Sequence, residues 1–334
     1  MFLAILPVAG RSLCILAWAV HCASRPSALT PGSVCDRIAP ELQGKATHLF
    51  KLRARDGRDP RELAAMDIDV HLEDKVLKRK YVTKMFDILA PGYDSFTRLF
   101  SFGMDRGWKA LLIEQGAARA VSRPRILDLA CGTGDLGSEL ARRTGSRLAI
   151  GLDFSAQMLT EAQRRSRSEG SSLHLVACDM LELCLPDSSI DLVSIGYGLR
   201  NTADVGQALR EIARVIRPGG ILLNLDFCKP AGRLWRELFI GYMWNAGRLA
   251  GWLWHREPIV YGYLGLSIRR YLTMRDFENA LRAAGFEVEW RASRLGGGIG
   301  LHVARRIADS LPSSALSRVR DSEESSCDQV ERSR

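Results

Sequence analysis

Two carboxylates, Asp128 and Asp135, bracket a glycine-containing turn near the middle of the chain. Gly132 and Gly134 lie between them, and glycine lets a backbone turn tightly and approach a ligand closely. With Gly137 the spacing satisfies the pattern G-x-G-x-x-G, which is typical of dinucleotide-binding turns. A pyrophosphate, however, binds where amides and positive potential converge, and two carboxylates disfavour it. The residue types therefore favour a ligand that carries positive charge.

S-adenosylmethionine (SAM) has the charges that such a turn would select. It carries a sulfonium, an α-ammonium and no phosphate, so acidic groups beside a glycine turn stabilise it. Two alternatives stay open at this point. One is a dinucleotide such as NAD, and the other is a plain strand-to-helix turn in which Asp135 merely lies near a helix N-cap.

Two further acidic residues follow apolar segments in the manner of a nucleoside site. Asp153 ends a predicted strand about 20 residues beyond Gly132, the spacing at which a carboxylate accepts both ribose hydroxyls. Asp179 follows a third predicted strand and is placed to accept from an adenine amino group, while Met180 would pack on the ring. For Asp179 the alternative is an ordinary loop acid.

Apolar segments alternate with segments of helical pattern around these residues. The predicted strands are residues 126–129, 148–152, 173–177, 190–197 and 221–227, and helices are predicted at 136–143 and 205–216. This alternation predicts an α/β fold with a doubly wound, parallel sheet. Ligands of such sheets bind beyond the carboxyl ends of the strands, where the glycine turn, Asp153, Asp179 and the segment after Tyr197 all fall.

The regions flanking this core carry signals of their own. Helical spacing predicts a helix at 76–90, which Pro91 and Gly92 break just before the polar-tipped Tyr93 and Asp94. Thr273 is the predicted N-cap of a helix that ends at Gly285. Residues 286–291 and 300–304 are predicted to form an antiparallel pair, with a bend at the glycines of 296–298.

Tryptophan and arginine are interleaved within residues 231–270, which predicts a helical cap insertion. Such a cap would line a lipophilic cavity and contact a membrane surface, although helices that merely close the core explain the pattern equally well. Residues 67–305 form the predicted folded domain. The Ser-rich, charged residues 310–334 are predicted to be a disordered tail.

The 334 residues have a formal net charge of +9, of which residues 1–60 contribute +4 from eight basic and four acidic side chains. The remainder is ordinary for a soluble enzyme and indicates no nucleic-acid partner. Eight cysteines without a C-x-x-C pair favour reduced thiols and indicate neither a metal site nor a disulfide framework.

Residues 1–60 are predicted to be a targeting presequence. An apolar start and then a basic stretch with Ser, Thr and Pro suggest import into a complex plastid. A mitochondrial presequence and a membrane anchor are the alternatives.

Three passages resemble the class I SAM-dependent methyltransferases, and more narrowly the menaquinone/ubiquinone C-methyltransferase family. They are MFDILAPGYD with SFGMDRGW in residues 85–108, GYGLRN in residues 196–201, and RVIRPGG with DFCKP in residues 214–230. The resemblance covers about residues 76–305 and departs from the family pattern at Asp105, where the family usually has His. GYGLRN is the most specific of the three, because generic methyltransferases do not share it.

This resemblance implies a mostly parallel, seven-stranded, Rossmann-like sheet with a helical cap, and SAM as the cofactor. The implied cofactor residues are Asp128, Gly132, Thr133, Gly134, Asp153, Phe154, Asp179, Met180 and Tyr197. The implied catalytic residues are Arg200, which stabilises an oxyanion, Asn201, which holds a quinone oxygen, and Tyr93, which contacts the SAM carboxylate or the substrate. A structural salt bridge is the alternative role for Arg200.

The sequence is similar to the plastid and cyanobacterial branch of that family, which methylates a demethylated phylloquinone precursor. The implied reaction moves a methyl from SAM to a ring carbon of a reduced, prenylated quinone, in a plastid and in association with thylakoids. The mitochondrial ubiquinone branch, a non-catalytic scaffold of a quinone-making complex and an NAD-dependent reductase are the alternatives. The sequence leaves the oligomeric state open.

Overall fold

The computed structural model describes residues 3–4, 63, 66, 68, 71, 74–101, 103–170, 173–255 and 259–307. The predicted tail at 310–334 lies outside the described residues, as does the predicted presequence apart from Leu3 and Ala4. The four described cysteines, Cys131, Cys178, Cys184 and Cys228, are free thiols, as the sequence predicts.

Strands and helices alternate along the described chain. The strands are β1 (Leu3–Ala4), β2 (Arg125–Leu129), β3 (Leu148–Asp153), β4 (Leu173–Ala177), β5 (Ile190–Gly196), β6 (Ile216–Phe227), β7 (Phe286–Arg294) and β8 (Ile299–Arg306). The helices are α1 (Lys75–Leu89), α2 (Tyr93–Phe100), α3 (Asp105–Ala117), α4 (Asp135–Thr144), α5 (Ala156–Glu169), α6 (Val205–Val215), α7 (Arg233–His255), α8 (Ile259–Arg270) and α9 (Met274–Ala283).

The strands form one sheet in the order β1-β4-β3-β2-β5-β6-β8-β7. The pairs from β4 to β6 are parallel, and β8 is antiparallel to both β6 and β7. The predicted mostly parallel, seven-stranded sheet is confirmed, with the two-residue β1 as an addition beside β4. Leu129 lies opposite Leu152 and Ile195, so the parallel strands end at one common edge.

Helices cover both faces of this sheet because its strands are apolar on both sides. On one face α6 and α9 bury Leu209, Ile212 and Phe277. On the other, α3, α4 and α5 bury Leu112 and Leu140 with their neighbours. The strand β2 lies between β3 and β5 and is buried from Ile126 to Leu129, and the glycine turn follows it.

Two predicted boundaries differ in detail. Residues 217–220, which separate the predicted helix at 205–216 from the predicted strand at 221–227, lie inside β6, which bulges between its bridges at Ile216 and Ile221. The predicted cap region consists of two helices, α7 and α8, that share a small apolar cluster including Phe239 and Ile268.

Thr273 caps α9 as predicted, in a capping box with Asp276. Within the described residues, no helix has the length and hydropathy needed to cross a bilayer.

Candidate active site

The glycine turn follows β2 at the carboxyl edge of the sheet. Ala130, Gly132 and Gly134 all have positive φ, at 49°, 54° and 81°, and α4 begins directly after them. The Cys131 amide donates to the Leu152 carbonyl at 3.0 Å, which ties the turn to β3. A side chain at either glycine would be strained in this conformation, so the turn presents bare backbone to the edge where ligands bind.

Asp128 lies beneath this turn, and both of its carboxylate oxygens accept hydrogen bonds from the protein. One carboxylate oxygen accepts from the Ser194 hydroxyl at 2.5 Å, and the other accepts from the Gly137 amide at 3.0 Å. Burial raises the pKa of Asp128 to about 7. A Cβ at position 137 would lie 2.7 Å from that carboxylate, so the third glycine of the pattern lets α4 approach β2. Asp128 therefore anchors the helix to the strand.

Asp135 is neutralised by a lysine that the sequence reasoning did not consider. The Lys109 ammonium lies 2.6 Å from the Asp135 carboxylate and 3.9 Å from the carboxylate of Asp105. Burial lowers the pKa of Lys109, but Asp135 outweighs burial and the net shift is upward. Both carboxylates that bracket the turn are therefore already bound by protein groups.

Asp153 connects the end of β3 to the glycine turn. Its carboxylate accepts from the Gly132 amide and from the Ser155 amide, both at 2.9 Å. Burial raises its pKa to about 6. Since a carboxylate offers about four acceptor sites, capacity remains for ribose hydroxyls. Phe154, the next residue, packs edge-on against Phe86 of α1, with ring centroids 6.4 Å apart.

Asp179 and Met180 follow β4 at the same edge. The Asp179 carboxylate accepts from the Leu181 amide at 2.9 Å and pairs with Arg79 of α1 at 3.2 Å. The Arg79 side chain is 62% exposed, so the pair is weak and an amino group of a ligand can replace it. Met180 is 5% exposed and belongs to the main core, which leaves little of its side chain accessible.

Tyr93 and Asp94 begin α2, which lies over the glycine turn. A Cβ built at Gly132 would be 3.9 Å from the Tyr93 ring. The Asp94 carboxylate accepts from the Thr133 hydroxyl at 2.8 Å and pairs with Arg165 of α5 at 3.1 Å. Helix α2 thereby brings Tyr93 beside the turn residues, as its polar-tipped position after the break suggested.

The segment after β5 lies against the glycine turn from the other side. Tyr197 has a φ of 60°, and a Cβ at Gly198 would meet the Cβ of Ala130 at 2.6 Å. The Tyr197 carbonyl accepts from the Arg200 guanidinium at 2.7 Å and from the side-chain Nδ2 of Asn201 at 2.9 Å. This close approach explains why a glycine is needed at position 198, and it places residues 197–201 next to the glycine turn.

Arg200 is buried in an ion pair with Asp226, the penultimate residue of β6. The guanidinium donates to one Asp226 oxygen at 2.6 Å, and the Arg200 amide donates to the other at 3.1 Å. Burial lowers the pKa of Arg200, but the carboxylate of Asp226 outweighs it and the net shift is upward. The Nε atom of Arg200 has no hydrogen-bond partner among the described residues. Arg200 is therefore a fixed cation whose Nε donor is left without a partner in the described part of the chain.

Asn201 is also held by its surroundings. Its Oδ1 accepts from the Tyr263 hydroxyl of α8 at 3.1 Å, while its Nδ2 donates to Tyr197. One Nδ2 hydrogen is left for a ligand. Within the part of the chain that the structure describes, no three acidic, Cys or His side chains are grouped as a metal site would require.

Several residues at this edge escaped the sequence reasoning: Lys78, Lys109, Asp226 and Tyr263. Lys109 and Asp226 lie in or next to passages that carry the resemblance, so position alone could have marked them. Lys78 and Tyr263 had no such signal, because they reach the site only through the docking of α1 on α8, where Tyr81 and Tyr263 pack together.

Known proteins match most of this chain. A model of the ubiE/COQ5 methyltransferase family matches residues 74–306. A demethylmenaquinone methyltransferase from Deinococcus radiodurans is 36% identical over 223 residues, which cover 67% of this chain and 92% of the relative. A ubiquinone/menaquinone biosynthesis C-methyltransferase from Hahella chejuensis is 36% identical over 211 residues, or 62% of this chain and 84% of the relative. The chain therefore belongs to the ubiE/COQ5 methyltransferase family, and it is a C-methyltransferase that uses S-adenosylmethionine.

Proposed function

We propose that this chain methylates a ring carbon of a reduced, prenylated quinone, and that the acceptor is demethylphylloquinol or demethylmenaquinol. The observation that carries the proposal is the position of residues 197–201, which touch the glycine turn at Ala130 and also supply Arg200 to a neighbouring cavity. The names of the two relatives support a quinone-type acceptor.

The residues around the glycine turn suit SAM. Bare backbone at Gly132 and Gly134 would receive the methionine part, with Thr133 and Tyr93 beside it. Asp153 would accept from the ribose, and Asp179 from the adenine amino group, with Phe154, Met180 and Tyr197 as apolar neighbours. Asp128 acts indirectly, by holding the turn. When bound, SAM supplies an electrophilic methyl group on its sulfonium.

Arg200 stabilises the oxyanion of the acceptor in this proposal. A hydroquinone carbon becomes more nucleophilic when the neighbouring hydroxyl loses its proton, and a fixed cation lowers the energy of the resulting charge. Arg200 stays protonated and so does not take the proton itself. The free Nε donor suits a ring oxygen, and Asn201 offers its remaining amide hydrogen to the same group.

The proposed location is a plastid, near thylakoid membranes, with the mitochondrion as the alternative; the basic, acid-poor start of the sequence supports import. Membrane contact would use the first half of α7. Leu234, Leu238 and Tyr242 are 77%, 58% and 43% exposed and share one face of the helix, with exposed Arg233 at its start. If the lipophilic methyl acceptor is dissolved in a bilayer, this surface would bring the protein to it.

Transfer of labelled methyl from SAM to isolated acceptors tests the proposal. The full chain is incubated with demethylphylloquinol and, separately, with the ubiquinone precursor. Label in demethylphylloquinol is the expected result, and label in the ubiquinone precursor alone would favour the mitochondrial alternative. If calorimetry shows that SAM binds but neither acceptor is labelled, a non-catalytic scaffold would be favoured. If NADH binds and SAM does not, the protein would be a reductase.

A further inference from the structure

A cavity of about 230 Å³ lies beside Arg200, between α1, α8 and the segment that follows β5. A cavity of about 150 Å³ is enough to bind benzene, so this one has room for a substituted aromatic ring. Its walls include Lys78 of α1, Thr202, and Tyr263 of α8 with the adjacent Tyr271. The cavity thus adjoins the segment that touches the glycine turn.

Three of the wall residues each have one buried polar atom without a hydrogen-bond partner among the described residues. These atoms are Nε of Arg200, the Thr202 hydroxyl oxygen and the Tyr271 hydroxyl oxygen. A buried donor or acceptor without a partner is unfavourable, and three such residues around one space indicate a polar occupant. A ring that carries hydroxyl groups meets both requirements, since its faces are apolar and its edges form hydrogen bonds.

Lys78 reaches the same cavity from the side of α1. Its Nζ atom donates to the Thr202 carbonyl at 2.6 Å and lies 3.5 Å from the Arg200 carbonyl. A neutral amine keeps two hydrogens and one lone pair. Lys78 can therefore hold the Thr202 carbonyl and still offer the lone pair to a ligand.

Burial, and then the charge of Arg270, lower the pKa of Lys78 to about 8. The titratable and charged groups that share its surroundings are Lys75, Arg200, Asp204, Tyr263, Arg270 and Tyr271. Burial raises the pKa of both tyrosines, so they stay protonated. The Asp204 carboxylate is bound by Lys75 at 2.8 Å, and by the Gln207 amide. Among these neighbours Lys78 is the best placed to exchange a proton near neutral pH.

We propose that Lys78 takes the proton from a ring hydroxyl of the quinol substrate. This hydroxyl binds between Lys78, Arg200 and Tyr271. This assignment rests on the proposed function. The hydroxyl O–H bond breaks and an N–H bond forms on the neutral Nζ, while the electron pair stays on the ring oxygen beside Arg200. That pair makes the adjacent ring carbon nucleophilic.

The remaining steps balance without any further reactant. A C–C bond to the methyl group forms as the S–CH3 bond breaks, and the electron pair of that bond stays on sulfur. The C–H proton of the methylated carbon leaves to water and the ring becomes aromatic again. The Lys78 ammonium returns its proton to the ring oxygen, so the net release is a single proton for each methyl transferred.

The titration of Lys78 is measurable without turnover. The full chain is acetylated briefly with acetic anhydride at a series of pH values, and each lysine is quantified by mass spectrometry. We expect Lys78 to become reactive with a midpoint near pH 8, well below the ordinary lysine range of about 10.4. A Lys78 midpoint within that ordinary range would overturn the proposal.

Kinetics of Lys78→Arg and Lys78→Met provide the second readout, with Lys80→Met as the matched control. Wild-type kcat should rise as pH increases through about 8, because the neutral amine is the base. Both Lys78 variants should lose about a hundredfold or more in kcat and lose that inflection, with unchanged Kd for SAM. A Lys78→Arg variant with normal kcat and the same inflection would refute the role of Lys78. If the wild-type protein transfers no methyl group to any quinol tested, the proposed function would be refuted instead.

Discussion

Arg200 combines a buried ion pair with a position on the wall of a cavity. Its ion pair with Asp226 is buried, with side chains 8% and 0% exposed, and such pairs contribute little net stability because desolvation offsets the attraction. Removing only one partner of such a pair nevertheless lowers the stability strongly, because the other charge is left buried and unpaired. The unpaired Nε on the wall of a cavity is what a structural salt bridge alone does not explain.

We predict that Arg200→Met abolishes turnover while SAM affinity stays nearly intact. The variant should also lose about 3–5 kcal/mol of stability, since Asp226 is left buried without its counter-ion. The double variant Arg200→Met with Asp226→Asn removes that charge and should recover most of the loss in thermal denaturation. Turnover in the stabilised double variant would show that Arg200 serves only the fold, and loss of SAM binding would move its role to the cofactor.

At the scale of single elements, α4 depends on its close approach to β2. A Cβ at Gly137 would lie 2.7 Å from Asp128, whereas a Cβ at Gly107, in the first turn of α3, would meet nothing within 4 Å. Gly137→Ala should therefore cost about 1–3 kcal/mol and weaken SAM binding, because the turn shifts with the helix. Gly107→Ala should gain up to about 1 kcal/mol from helix propensity. Equal denaturation midpoints for the two variants would contradict this account of the third glycine.

The exposed face of α7 carries a prediction of its own. The double variant Leu234→Asp with Leu238→Asp should reduce binding to vesicles that contain anionic lipid by about tenfold or more, since each leucine contributes about 1.5–3 kcal/mol when buried. Val121→Asp changes a similarly exposed residue away from α7 and is the control. Cosedimentation with vesicles measures the effect, and unchanged binding of the double variant would remove α7 from the membrane contact.

At the scale of the whole molecule, the sheet brings residues from distant parts of the sequence to one edge. The apolar segments, the glycine turn and the Thr273 cap were predictable because each depends on neighbours within a few residues. The pairs Lys109–Asp135 and Arg200–Asp226 each span 26 positions, and Lys78 meets Thr202 across 124. No periodicity encodes such contacts, since they depend on how α1, α3 and β6 pack.

The same limit applies to the charge of the glycine turn. Asp128 and Asp135 favour a cation when they are considered alone, but Ser194 and Lys109 already satisfy them. The choice of SAM over NAD was nevertheless correct, because membership of the methyltransferase family supports it independently. The charge of a site is a property of the folded molecule, including the groups that tertiary structure adds.

The site of methylation on the product tests the central claim most directly. The full chain is supplied with SAM whose methyl carbon is ¹³C and with demethylphylloquinol, and the extracted product is examined by NMR. Proton transfer to Lys78 beside the Arg200 cation activates a ring carbon, so the account predicts a single ¹³C methyl bonded to that carbon. A ¹³C methyl bonded to a ring oxygen, or no labelled product from a protein that binds SAM, would contradict it.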